Sequence, residues 1–403
     1  MWVADMDLLC PEPVRRAVEE RAAHGVYGYT VPSPRLKRAI VENARRAWGT
    51  NEVVESWIRF HPGLIAGLYH TARLVPGGGV IVPTPVYPPF LNAARETAAC
   101  IDVPAGDLGE LEAAIAGAPY DRLVVMWCNP HNPTGRVWPR SDLEHLAHLV
   151  DAYGDKIVAV CSDEVWSGLV FDDDQTPFTS LGELAFSSSS NAPFAQALRD
   201  RLVVLTSPSK TYNVAALDFA IAIVPNDSLR RQYFRNGRDQ AECTPFGFAA
   251  AEAIFVDNES DAQSSCDDLL RPPGGDCEPW RRAVVSHLRA NRDLAIDFIR
   301  AHCAPEIQIP HVPEASYLLW LDASGLGRAN PAVHLRDTFS LGLSDGAPFF
   351  GNTKTPGFVR MNFGCSRATL QEGLLRLRAA VDDQRRLSAR SQVTTTPVWA
   401  DPC

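Results

Sequence analysis

A single lysine, Lys210, follows the apolar run Leu202-Val-Val-Leu205 in the stretch Thr206-Ser-Pro-Ser-Lys-Thr-Tyr-Asn213. An apolar run of that length, ended by turn residues, is the size of a buried strand. A lysine just past such a strand stands where the open edge of an α/β sheet places its ligands. Desolvation there lowers the pKa and makes the amine a nucleophile. Most lysines are simply solvated, so the chemistry needs support from elsewhere in the chain. Three other strand ends supply it: Tyr87 in Pro83-Thr-Pro-Val-Tyr-Pro-Pro-Phe90, Asn132 in Cys128-Asn-Pro-His-Asn-Pro-Thr-Gly135, and Asp163 in Ser162-Asp-Glu164. An amine, an acid, an amide and an aromatic ring converging on one crevice is hard to dismiss as core packing.

The elements that must position them read as alternating strands and helices. Strands are expected at 80–82, 123–127, 157–161, 202–205 and 220–224, and helices at 13–23, 35–48, 64–74 and 142–151. The helix at 64–74 opens at His61-Pro-Gly63, and a turn-rich loop with two tyrosines, Tyr27 and Tyr29, spans 24–34. Short apolar strands alternating with helices mean an α/β fold with a mostly parallel sheet covered on both faces. The later half, with helices at 281–302 and 366–384 and strands at 316–321 and 357–362, reads as a smaller α+β domain. The division expected is a large domain at 26–255 and a small one built from 1–25 and 281–385. The segment 178–199, with Ser187-Ser-Ser-Ser190, reads as a surface loop, 256–280 as a flexible insertion, and 386–403 as a disordered tail.

Composition narrows the class. A chain of 403 residues, 46% hydrophobic, is long enough for a large core and two or three domains. The net charge of −10 and the lack of a basic run argue against nucleic acid and anionic membranes as partners. No apolar stretch approaches the ~20 residues of a membrane helix. Asp5 and Asp7 interrupt what would be a signal peptide. The 10 cysteines show no zinc spacing, and Cys100, Cys128, Cys161 and Cys303 sit in apolar surroundings as reduced, buried residues. A soluble cytoplasmic protein without a metal site is expected.

In order and spacing, Asn129-Pro-His-Asn-Pro-Thr-Gly135, Ser162-Asp-Glu164 and Ser207-Pro-Ser-Lys210 resemble the signature of class I/II aminotransferases, which are fold-type I pyridoxal 5'-phosphate (PLP) enzymes. Met1-Trp-Val-Ala-Asp-Met-Asp7, Pro85-Val-Tyr-Pro-Pro-Phe90, Pro208-Ser-Lys-Thr-Tyr-Asn213, Pro313-Glu-Ala-Ser-Tyr-Leu-Leu-Trp-Leu-Asp322 and Arg360-Met-Asn-Phe-Gly-Cys-Ser-Arg367 look like the MalY/PatB branch of cystathionine β-lyases. The resemblance spans about residues 1–385. It implies a PLP-dependent transferase-like large domain with a mostly parallel seven-stranded sheet.

The resemblance also implies roles. Lys210 would carry the cofactor covalently and act as the base. Asp163 would face the pyridine nitrogen, Asn132 the phenolic oxygen, and Tyr87 would stack on the ring. The phosphate would sit past Gly63 on the backbone N–H groups of Leu64 and Ile65, with hydroxyls from Ser207 and Ser209. Tyr29 would reach the phosphate of the other subunit of a homodimer with shared sites. Arg360 would grip the substrate carboxylate. Three features depart from the branch. Trp166 stands near the ring oxygen where His or Tyr is usual. Ala216-Leu217 stands for Gly-Leu, with Asp218 adding a negative charge near the site. The chain begins at the Met-Trp motif, so a shortened N-terminus is expected. The activity implied is β-elimination of cystathionine or another cysteine S-conjugate to thiol, pyruvate and ammonia. The alternatives are a class I/II aminotransferase and a catalytically silent binding or regulatory protein.

Overall fold

The computed structural model of the chain describes residues 1–171, 176–186, 192–238, 240–256, 277–351 and 357–394. The serine run at 187–190, most of the expected insertion and the end of the expected tail lie outside them. The main sheet has seven strands: β1 (Ile58–His61), β2 (Gly79–Thr84), β3 (Ala99–Pro104), β4 (Leu123–Cys128), β5 (Ile157–Asp163), β6 (Leu202–Thr206) and β7 (Ala220–Ile223). Their order is β1-β7-β6-β5-β4-β2-β3; neighbours from β6 to β3 are parallel, and β7 is antiparallel to β6 and β1. The mostly parallel seven-stranded sheet is therefore present. Of its strands, β1 and β3 are the two the residue pattern did not suggest, and they are the two edges. An edge strand needs no apolar run on both faces, and most of β3 is only half buried.

Inner strands divide their side chains between two cores. Leu123, Val125 and Trp127 of β4 join Leu202 and Val204 of β6 on one face, under the helix Pro34–Trp48. Val124, Met126 and Cys128 join Val203 and Leu205 on the other, with Leu68 of the helix Leu64–Ala72. This two-sided burial is why these strands read as unbroken apolar runs. Helix starts follow ordinary capping: Ser33 accepts from Leu36 N, with Pro34 in the first turn.

Two expectations are corrected. The segment read as a surface loop at 178–199 contains the helices Leu181–Phe186 and Ala195–Arg201, whose Leu181, Leu184 and Leu198 are in the core. Helices that short give too few turns for a periodic signal. The tail does not begin at 386: the helix Arg367–Thr394 continues through it. Just before that point, Arg385 fastens the helix to Glu306 at 2.7 Å and to Ala304 O at 2.7 Å.

The second sheet is small and antiparallel, in the order β8-β10-β9, with β8 (Leu318–Asp322), β9 (Ser344–Asp345) and β10 (Phe358–Asn362). Leu321 and Met361 pack with Leu288 and Ile296 of the helix Glu278–His302. The N-terminal residues run beside this sheet, with Asn362 N donating to Met1 O at 2.9 Å and Asp7 N to Gly364 O at 2.9 Å. The helix Glu12–His24 instead packs on Pro245–Phe255 through Val14 and Ile254. Of the 10 cysteines, the eight described are free thiols; Cys128, Cys161 and Cys303 are buried, and Cys100 is half-buried.

Candidate active site

Cys128, Asp163 and Leu205 lie level across β4, β5 and β6. Just past that level the strands end and their loops open onto a cavity of about 400 Å³. Its wall brings together Tyr87, Asn132, Asp163, Trp166 and Lys210. Gly63, Leu64 and Ile65 close one part of it, with Ser207, Ser209 and Asp218 also in the lining. The volume is that of a small-molecule site. Tyr87 N donates to Asn132 O at 3.1 Å, so the loops after β2 and β4 hold each other.

Burial governs the electrostatics. Asp163 is buried, accepts from Val165 N at 3.0 Å, and its carboxyl is pushed up to about 7 by desolvation, partly offset by that N–H and by Lys210. Lys210 has its pKa lowered by desolvation and then by the Arg360 charge, while Asp5 and Asp163 oppose the shift. Its Nζ donates to Ala4 O at 2.8 Å and stands 5.9 Å from the centre of the Trp166 ring. Burial also raises the Tyr87 phenol.

The helix Leu64–Ala72 begins at Gly63 in extended backbone, with no side-chain cap and open space where a Cβ would stand. Its first amides have no intrahelical acceptor, so they present donors and a positive helix end to the cavity. Ser207 differs from the expected picture. Ser207 Oγ donates to Phe219 O at 2.6 Å and accepts from Ser209 N at 3.0 Å, so its hydroxyl hydrogen is committed to the fold.

Arg360 is not on the cavity wall but reaches it through Asn132, whose Oδ1 accepts from Nη1 at 3.0 Å. That bond leaves the donating end of the Asn132 amide for other partners. The guanidinium also donates to Trp2 O at 3.2 Å and lies 5.0 Å from the Phe349 ring centre. Burial pulls its pKa down to about 10. Trp166 is buried against the edge of Tyr317, with ring centres 4.9 Å apart. Asp218, with φ 54°, is exposed at the rim. Tyr29 is 99% exposed and is not brought to this cavity within one chain. Sequence reasoning missed Ala4 as a site residue: its contribution is a backbone carbonyl, which leaves no trace in residue type.

The donor set suits the cofactor that the resemblance implies. A half-buried amine can carry an aldehyde, a carboxylate beside the ring nitrogen favours its protonated form, and an uncapped helix start favours a phosphate. The chain matches the Aminotransferase class I and II family over residues 3–377. Cystathionine beta-lyase PatB of Bacillus subtilis is 34% identical, covering 94% of this chain and 92% of its own length. The cystathionine beta-lyase of Corynebacterium glutamicum is 28% identical, with 94% and 92% covered. Cystalysin from Treponema denticola, solved with a pyridoxal 5'-phosphate cofactor, shares the fold at TM-score 0.78 and 24% identity, over 95% of this chain and 91% of that one. With one family spanning nearly the whole chain and its relatives clustering around PatB and MalY, the chain belongs to the class I and II aminotransferase family, in the PatB and MalY branch.

Proposed function

We propose that this protein is a carbon–sulfur lyase that uses pyridoxal 5'-phosphate to eliminate the β-thiol of a cysteine S-conjugate, cystathionine among them, yielding thiol, pyruvate and ammonia. One observation carries the reading: Lys210 and the buried Asp163 share one cavity with an uncapped helix start. Bound there, the cofactor supplies an electron sink for the charge left when the substrate's Cα–H bond breaks. Lys210 would hold the cofactor and, once displaced by the substrate amine, take the α-proton. Its lowered pKa favours the neutral amine a base must be. Asp163 would keep the ring nitrogen protonated. Leu64 and Ile65 would give backbone N–H groups to the phosphate, Ser209 a hydroxyl, and Tyr87 a face for the ring. Arg360 and Asn132, already hydrogen-bonded, would take the substrate carboxylate.

The names of the similar relatives support elimination over transamination, since PatB and the Corynebacterium glutamicum protein are both cystathionine beta-lyases. We propose further that the protein acts in the cytoplasm as a homodimer, with Tyr29 completing the partner's phosphate site. The exposed Tyr27, Tyr29 and Val31 suit an interface, and free thiols suit a reducing compartment. The test is incubation of the PLP-loaded protein with a panel of cysteine conjugates, measuring thiol, pyruvate and keto acid together. Thiol and pyruvate in equal amounts are expected. A keto acid formed with no thiol, together with the pyridoxamine form of the cofactor, would replace this reading with transamination.

A further inference from the structure

Lys210 lies in the one-turn helix Pro208–Thr211 that follows β6, and Arg360 on β10, so the two cations are carried by different sheets. Both hydrogen-bond to one short segment between them, residues 2–8. Arg360 Nη2 donates to Trp2 O at 3.2 Å, and Lys210 Nζ to Ala4 O at 2.8 Å. Each cation also has an asparagine close to it in sequence that grips the same segment. Asn213, just past the lysine's helix, accepts from Met6 N at 3.0 Å and donates to Met6 O at 2.8 Å and Leu8 O at 2.7 Å. Asn362, on the arginine strand, donates to Val3 O and Asp5 O, both at 2.6 Å, while its oxygen accepts from Gly364 N at 2.6 Å. An asparagine side chain has two donor hydrogens and one acceptor oxygen, and both of these use all three.

We propose that residues 2–8 act as a spacer between base and carboxylate clamp, and that Asn213 and Asn362 are positioning residues that hold it in register. This rests on the roles given above to Lys210 and Arg360. The α-hydrogen and α-carboxylate of an amino acid hang from one carbon, so the groups that meet them need a fixed separation. Errors of about 1 Å cost up to about a hundredfold in rate. The carbonyl of Ala4 takes one hydrogen from the free lysine amine and leaves its lone pair directed elsewhere. The free amine is the state in which Lys210 would remove the α-proton. Tyr317 OH, also on Ala4 O at 2.9 Å, ties that carbonyl to the small sheet.

The test uses the PLP-loaded enzyme and three variants: Asn213→Gly, Asn362→Ala and the double. Glycine keeps the left-handed backbone of Asn213 (φ 56°), so only the side-chain bonds are lost. Asn213→Gly is expected to lower kcat about tenfold or more with KM little changed, and to move the pH midpoint of the bound cofactor's visible band. Asn362→Ala is expected to act chiefly on KM. If one segment carries both effects, the double variant is no worse in kcat/KM than the worse single one. Effects that multiply, or a wild-type kcat and midpoint in Asn213→Gly, overturn the proposal. Should Asn213→Gly fail to fold, Tyr317→Phe removes only the second donor on Ala4 O. It frees the same carbonyl that Lys210 meets and should also move the midpoint; an unmoved midpoint there overturns the proposal too. A wild-type protein that forms no band with PLP removes the underlying reading and the proposal with it.

Discussion

Asp163 and Glu164 are adjacent at the end of β5, yet they serve different sides of the sheet. Asp163 faces the cavity that holds Lys210. Glu164 lies on the Trp48 side, among the helices that cover the sheet there. Both are buried and both carboxyls are pushed up to about 7 by desolvation. What separates them is hydrogen bonding. Glu164 Oε1 accepts from Ser162 Oγ at 2.8 Å, Ser180 Oγ at 2.9 Å and Leu181 N at 3.2 Å. Asp163 accepts from Val165 N at 3.0 Å and keeps acceptor capacity toward the cavity. The fold consumes one acid and leaves the other for a ligand. Burial and a raised pKa alone would have marked both as catalytic.

Exchanging each acid for its amide should give opposite results. Asp163→Asn is expected to lower kcat for thiol release by at least about a hundredfold, the scale of losing a preorganised charge in a site. The melting temperature of its cofactor-free form should hold or rise, since a buried acid is gone. Glu164→Gln is expected to leave kcat of the folded enzyme within a few-fold. It should cost about 1–3 kcal/mol of stability, because an amide cannot satisfy three donors as the carboxylate does. Urea unfolding and steady-state assays on the same preparations measure both. Equal activity losses in the two variants would break the comparison.

Acidity sharpens it further. Asp163 rises from 3.8 and Glu164 from 4.5, each to about 7, so the folded protein holds protons that the unfolded chain has released. Their stabilising contribution is complete below about 4 and is lost as pH climbs through about 7. The melting temperature of the cofactor-free protein should therefore decline across that window on their account. Asp163→Asn should remove its share of the decline. PLP should do the same, because a protonated ring nitrogen favours the ionised acid. Melting curves from pH 4 to 8, with and without PLP, test this; a decline untouched by either change would place the titration elsewhere.

The legible parts of the molecule are those where one residue type has one use. Leu123–Cys128 and Leu202–Thr206 read as strands because both faces are buried. Lys210, Asp163, Asn132 and Tyr87 could be grouped because each follows a strand that ends on the same edge. Edge strands were hidden, since Arg59 and His61 of β1 and Asp102 of β3 break any apolar run. The two short helices near the serine run were hidden by their length. Arg360 entered only through the resemblance; nothing in an isolated Phe-Val-Arg-Met-Asn strand says that its guanidinium meets Asn132. Likewise Ser207 has the composition of a phosphate ligand, but its hydrogen goes to Phe219 O.

The smallest expected effect tests whether the two sides of β5 are independent. Ser180 gives its hydroxyl hydrogen to Glu164 and accepts from Gly182 N at 3.0 Å. Ser180→Ala removes one of three donors on Glu164 and leaves the other two, so the carboxyl stays partnered. The expected cost is about 1 kcal/mol, read as a small drop in urea midpoint at unchanged slope. PLP affinity and kcat should stay at wild-type values, because no bond of Ser180 reaches the cavity wall. The acid it supports is nonetheless joined by one peptide bond to the acid that would face the ring. A fall in kcat at unchanged stability would mean that a loosened Glu164 displaces Asp163 along the backbone, and the two sides would have to be treated as one catalytic unit.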